Sequence, residues 1–243
     1  MAAHITFVIS NSRLNRLGDS IRDGTLSPED REVLAEMRLT WGRVRRHVLD
    51  LLEEYVGVSA VEITTRIKNI DTLRDKLHRL HGGLSGMRDI VGLRVVVPGP
   101  RANQMSITNA ILALFPDSAP RVISRIDDPR AGYRAIHIEI RVDGVRVEIQ
   151  VRTVEQHEWA NAMERFADKS GRDARYEDEY NFTNLSDASR NLAIEAMRSM
   201  IAWSESLNDW EADGSPESGP IKSTFNDNRT TANSRLEAFD ASL

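Results

Sequence analysis

The chain has 243 residues, 40% hydrophobic and 28% charged, with a formal net charge of −5, a composition that can bury the core of one domain or little more. It has no cysteine, which excludes disulfide frameworks and thiolate metal sites; only oxygen ligands and six histidines remain, so magnesium is the natural metal. The acidic balance argues against indiscriminate nucleic-acid binding, no apolar run approaches the roughly 18 residues of a membrane span, and the N-terminus lacks a basic-then-apolar secretory layout, so a cytoplasmic protein is expected.

Residues 1–58 read as a helical region. Ser27 as N-cap, Pro28 at the first helical position and acids in the first turn open a helix over about 28–55, with Leu34, Met37, Trp41, Val44, Val48, Leu51 and Tyr55 on its apolar face. The main domain spans 59–210. "AVEITTRI" is a short strand and Asp71 opens a helix, across which Arg66, Lys68, Arg74, Lys76 and Arg79 fall within fourteen residues. Lys68 and Lys76 can converge on one phosphate chain, or the set is a solvated basic helix face. "HGGLSGMRD" has three glycines but leads into a strand without Gly-Lys-Ser/Thr, which makes it a mobile connection and not a Walker loop. Asp89 stands at the mouth of "DIVGLRVVV", a β-branched central strand, where it either caps or reaches a cation.

A helix near 102–115, a strand near 120–126 and a hairpin follow. In "HIEIRVDGVRVEIQVR", Asp143-Gly144 between alternating runs is the strongest short hairpin signal. A two-residue turn places Ile136, Ile138, Ile140, Val142, Val145, Val147, Ile149 and Val151 on a core face. The other face then sets Glu139 opposite Glu148 and Arg141 opposite Arg146. Like charges opposed in a ladder are unfavourable, so either the side chains splay into water or a cation, a phosphate or both sit over this face. Tyr133 after Gly132 is placed to stack on a base or to join the core. His157 and Trp159 read as packing residues on a helix from Thr153, and a second helix starts at Ser186. Residues 211–243, rich in Gly, Ser, Asn and Asp, are expected to be a disordered tail with at most a short terminal helix. The fold class is α+β, a mixed sheet of about five strands with flanking helices.

Taken together, "RIK" at 66–68, Lys76 eight residues on, "DIVGLR" at 89–94, "GYRAIH" at 132–137 and "VEIQVRTVEQHEWA" at 147–160 resemble the RelA/SpoT-type synthetase domain of alarmone synthetases. The likeness covers about residues 60–170 and is nearest to the small, single-domain members. The resemblance implies a nucleotidyltransferase-like domain that uses magnesium to transfer the β,γ-pyrophosphate of ATP to a ribose 3′-hydroxyl. It implies that Arg66, Lys68 and Lys76 hold ATP and its phosphates, with Arg66 or Arg94 stacking on adenine. Asp89 and Glu148 would hold the metal, and Glu148 would help deprotonate the attacking hydroxyl. Tyr133 would stack on the acceptor base, His137, Gln150 and Arg152 would line the acceptor and phosphate region, with Arg152 in the catalytic set, and Arg141 and Arg146 would border a phosphate-rich acceptor.

Nothing corresponds to the hydrolase domain of the long members, so synthesis only is expected. Ala131 stands where an asparagine is frequent. "WANAMERFADK" keeps Glu164 and Lys169 but has Arg165 and Asp168 in place of the usual partners. These departures, with Arg121, Arg125, Arg130, Arg134, Arg141 and Arg146 expected to be exposed about the acceptor entrance, turn the reading toward the toxic branch that modifies the tRNA 3′-CCA end. A neutralising antitoxin protein would then be a partner. The alternatives are a synthetase using GDP or GTP and a non-catalytic nucleotide-binding relative.

Overall fold

The computed structural model describes residues 9–79, 83–171 and 182–243. Among them are seven α-helices and five strands: α1 (Asn11–Asp23), α2 (Pro28–Tyr55), β1 (Glu62–Ile67), α3 (Ile70–Arg79), β2 (Val91–Val97), α4 (Arg101–Leu114), β3 (Arg121–Ser124), β4 (Ile136–Val142), β5 (Val145–Thr153), α5 (Val154–Ser170), α6 (Asp187–Ala212) and α7 (Pro220–Asp240). The strands form one mixed sheet in the order β1-β2-β5-β4-β3, the expected α+β class and strand count. The chain divides into two compact units. The first comprises Met1–Val95, Asn109–Val122 and His137–Gln150; the second comprises Val96–Thr108, Ile123–Ile136 and Val151–Leu243.

In the first unit, α2 begins as its sequence dictates. Ser27 and Asp30 close a reciprocal capping box with Pro28 in the first turn, and the stripe from Leu34 to Val48 is buried. The stripe drifts at the C-terminal end, because a helix of 3.6 residues per turn outruns a repeat of three and four. Leu52 and Val56 are buried where Leu51 and Tyr55 were expected, and Tyr55 is 58% exposed. The first turn of α3 is held by Asn69, whose Oδ1 accepts from the Thr72 amide at 2.8 Å, and Asp71 lies inside the helix. The connection expected to be mobile is partly packed. Residues 81–82 lie outside the described residues, but Leu84 is buried and the Ser85 amide donates to Asn15 Oδ1 of α1 at 3.0 Å.

The β4–β5 hairpin has the expected two-residue turn. Asp143 (φ +49°) and Gly144 (φ +79°) are both left-handed, the type I′ geometry whose twist matches the strands. That loop length sets residue 139 opposite 148. Ile136, Ile138, Ile140, Val147, Ile149 and Val151 are buried, while Val142 and Val145 beside the turn are half-buried.

The second unit has its own apolar core, formed by α5, α6 and α7 around Trp159, Phe166, Phe182, Trp203, Trp210, Phe225 and Phe239. Residues 220–240, expected to belong to a disordered tail, are instead a 21-residue helix. Its apolar content is low, but Phe225, Ala232 and Phe239 recur every seven residues, and that narrow seam suffices for docking. The Phe225 ring stacks on Trp210 at 4.8 Å between centroids, and Phe239 meets Phe166 at 5.2 Å. Ion pairs flank the seam, Arg229 with Glu158 at 2.8 Å and Asp240 with Lys169 at 2.7 Å.

Candidate active site

In the first unit, β1 delivers Lys68 to the start of β2, where its backbone N–H donates to Ile90 O at 3.0 Å. Lys68 Nζ lies 3.3 Å from Asp89 Oδ2, and Lys76 Nζ, one helical face away on α3, lies 2.5 Å from Asp89 Oδ1. Two cations thus converge on one carboxylate, and all three side chains are largely buried. Burial pushes the Lys68 ammonium below its ordinary value; Asp89 opposes that, while Arg66 and Lys76 add to it. Arg66 extends past Gly92, where a Cβ would lie 3.6 Å from Arg66 Cγ. Arg94, two residues along β2 from Gly92, shares that face.

The polar face of the hairpin resolves its like charges by giving each glutamate separate partners. Glu148 Oε1 lies 3.0 Å from His137 Nδ1, and Glu148 Oε2 accepts from Gln150 Nε2 at 2.9 Å. Burial would raise the Glu148 carboxyl, but the hydrogen bond and charge of His137, the Gln150 amide and the Lys76 charge outweigh it and hold the pKa at about 2. Lys76 therefore acts on both Asp89 and Glu148. Glu139 is the counter-ion of two arginines, Arg88 at 2.5 Å and Arg121 at 3.5 Å. Arg141 is exposed and donates to Gly144 O of its own turn at 3.2 Å, and Arg146 is half-buried on the opposite strand.

Asp89 and Glu148 offer hard, acceptor-only oxygens, a donor set that suits magnesium, which is commonly held by one or two carboxylates together with substrate phosphates. Among the described residues no group of three or more acidic, histidine or cysteine side chains gathers for a metal, so an all-protein cage is absent there.

Tyr133 and Arg152 fall in the second unit and meet each other. Arg152 Nη2 donates to Tyr133 Oη at 2.9 Å, and its guanidinium carbon lies 5.0 Å from the ring centroid. Tyr133 follows a tight turn in which Ala131 (φ +46°) and Gly132 (φ +83°) are both left-handed. An asparagine tolerates that conformation better than the Ala131 present. At Gly132 a Cβ would lie 2.8 Å from the Trp159 ring, so packing as well as φ demands glycine. Arg134, expected to be exposed, is instead buried and bonded to Ser204 and Asn208 of α6, because its planar fork satisfies four acceptors at once. Arg125 pairs with Asp128 at 2.9 Å. The sequence offers no signal for Arg88 as partner of Glu139, 51 residues away, or for the α6 residues that receive Arg134.

Residues 65–170 match the family model described as the region found in RelA / SpoT proteins. This segment is thus similar to the RelA/SpoT region. Uncharacterized proteins of Mycobacterium tuberculosis and Mycobacterium bovis are 36% identical over 171 residues, covering 70% of this chain and 63% of the relatives, so the chain spans less than two thirds of their length. The small alarmone synthetase 1 from Bacillus subtilis bound to its product pppGpp superposes with a TM-score of 0.53 at 18% identity, covering 75% of this chain and 98% of that one. The small alarmone synthetase 2 from the same organism gives 0.51 at 19%, over 75% and 96%. A GTP pyrophosphokinase family protein from Streptococcus pneumoniae gives 0.50 at 21%, over 78% and 96%. At these identities the likeness to the solved structures is one of fold. No described helix is long and apolar enough to cross a membrane.

Proposed function

We propose that the chain is an ATP-dependent pyrophosphokinase that moves the β,γ-pyrophosphate of ATP to a ribose 3′-hydroxyl. The observation that carries this reading is the convergence of Lys68 and Lys76 on Asp89, with Glu148 held ionised under the influence of Lys76. Pyrophosphoryl transfer asks a protein to position an in-line attack and to neutralise phosphate charge, and these groups are suited to both. Asp89 holds the two ammonium groups in place before ATP arrives, and the phosphate oxygens then take their hydrogen bonds. Arg66 and Arg94 provide planar cations for the adenine and the remaining phosphate charge. Asp89 and Glu148 are the residues that would hold magnesium, which would supply positive charge to neutralise the transferred phosphates. Glu148, kept ionised by His137, Gln150 and Lys76, is available to hold the cation and to assist deprotonation of the attacking hydroxyl. His137 and Gln150 fix the rotamer of Glu148. Tyr133, oriented by Arg152, is the platform for the acceptor base.

The acceptor is a guanosine nucleotide on this reading. The broad basic surface that an RNA end needs is reduced, since Arg134 is buried and Arg121 and Arg125 face carboxylates. One neighbour of the same fold was solved with pppGpp, which supports the same class of acceptor. A tRNA 3′ end is the second reading, favoured by Arg130 and Arg141, which remain exposed. Purified protein incubated with γ-labelled ATP and magnesium, and separately with GDP, GTP or bulk tRNA, tests both: label in a guanosine tetra- or pentaphosphate supports the first, label in tRNA the second, and no transfer to any acceptor refutes the pyrophosphokinase reading.

A further inference from the structure

We infer that Ser204 and Asn208 of α6, acting through Arg134, are positioning residues that set the acceptor-binding geometry of Tyr133. The inference rests on the proposed role of Tyr133 as acceptor platform, and its evidence lies within the second unit.

Tyr133 sits on a turn that local sequence alone holds poorly. Its amide donates to Arg130 O at 2.8 Å across two consecutive left-handed residues, and Ala131 has no side-chain means of favouring that conformation. The turn is held instead from α6. Ser204 Oγ donates to Gly132 O at 2.5 Å and accepts from Arg134 Nε at 3.1 Å, and the same Nε also reaches Ser204 O at 3.2 Å. Arg134 Nη1 donates to Ile126 O and to Asn208 Oδ1, the latter at 3.1 Å. Asn208 Oδ1 is fixed in turn by Arg101 Nη2 at 2.7 Å. The residues on either side of Tyr133 are thereby bonded to two side chains one helical turn apart on α6.

Met200 extends the same face of α6 by a further turn. Its carbonyl accepts from Trp159 Nε1 at 2.8 Å, and the Trp159 ring is the surface against which Gly132 packs. Positions 200, 204 and 208 therefore form one stripe that fixes the wall behind the turn, the carbonyl of residue 132 and the guanidinium of residue 134. Ser204 is 1% exposed and Arg134 is 7% exposed, so water does not readily replace these bonds. Burial lowers the Arg134 pKa and Arg101 adds to that, while Glu211, Asp127 and Asp209 oppose it; the guanidinium is retained without a carboxylate in its bonded set. An anchoring function explains that arrangement, because the planar fork binds β3–β4 connector and α6 simultaneously. Tyr133 lies between the two anchored residues, and its hydroxyl accepts the Arg152 bond. The RelA/SpoT match ends at residue 170, so these positioning residues lie beyond it.

The test uses the full chain with Ser204→Ala, Asn208→Leu and Asn208→Asp. Ser204→Ala and Asn208→Leu are expected to raise KM for the acceptor by about tenfold, below the hundredfold that an ångström-scale misplacement costs, with KM for ATP within about twofold of wild type. Asn208→Asp keeps an acceptor oxygen for both arginines and is expected to behave as wild type. Amide exchange at Tyr133 should accelerate in Ser204→Ala while the 137–150 hairpin is unchanged. Equal changes in both KM values, an unchanged acceptor KM in Ser204→Ala, or Asn208→Asp failing as Asn208→Leu does, each overturns the inference. A wild-type chain that transfers to no acceptor overturns the pyrophosphokinase reading and the inference with it.

Discussion

Replacing Glu148 with glutamine keeps the shape of the side chain and removes its charge, and the consequences for stability follow from its surroundings. The carboxylate is 16% exposed, lies 3.0 Å from His137 Nδ1 and accepts from Gln150 at 2.9 Å. Those bonds, with the Lys76 charge, overcome the opposing effect of burial and lower its pKa from 4.5 to about 2. A depression of that size corresponds to about 3 kcal/mol of folding stability. Because the folded-state pKa lies below the unfolded one, the contribution is fully present above pH 4.5 and is lost as pH falls toward 2. Glu148→Gln removes it at every pH. Urea unfolding followed by tryptophan fluorescence should therefore show the variant less stable by about 3 kcal/mol at pH 6, with the gap closing progressively between pH 4.5 and 2. A gap that is constant across that range would show that His137, Gln150 and Lys76 do not hold Glu148 ionised, and the electrostatic account of the site would fall.

Three further outcomes follow from the geometry. Asp89→Asn removes the carboxylate on which Lys68 and Lys76 converge and is expected to lower kcat by about 10²- to 10³-fold, the cost of losing one preorganised electrostatic group; steady-state kinetics at saturating ATP and magnesium check it, and near-normal turnover would remove Asp89 from the site. Phe239→Ala empties a fully buried position against Phe166 and should cost about 3–5 kcal/mol in chemical denaturation, whereas a wild-type midpoint would mean that α7 is not docked. Gly132→Ala forces a Cβ to within 2.8 Å of the Trp159 ring at φ +83°; a lower melting temperature is expected, and an unchanged one would contradict the packing of that turn.

What the sequence disclosed and what it concealed divide along the range of the interactions. The hairpin was legible because Asp143-Gly144 and strict alternation act over two residues, and α2 because its cap and stripe repeat within a turn. Lys68, Lys76 and Asp89 lie within 22 residues of one another, and their convergence could be anticipated. The polar face of the hairpin could be read as unusual, but not that Glu139 would be satisfied by Arg88 and Arg121, because no local periodicity links strand positions to those arginines. α7 was missed because the composition of 211–243 averages away a seam of three residues spaced by seven. Arg134 was misread as exposed for the same kind of reason: its acceptors on α6 lie 70 and 74 residues away.

The central claim is that ATP is split between its α- and β-phosphates and that the β,γ unit is carried intact to a ribose 3′-hydroxyl. The most direct measurement is product analysis by mass spectrometry and phosphorus NMR of a reaction containing the full chain, ATP, magnesium and GDP. The account predicts AMP formed one-for-one with a guanosine product heavier by a diphosphate, at a rate that Asp89→Asn lowers by about 10²- to 10³-fold. Formation of ADP and phosphate, or recovery of ATP and acceptor unchanged, would contradict it.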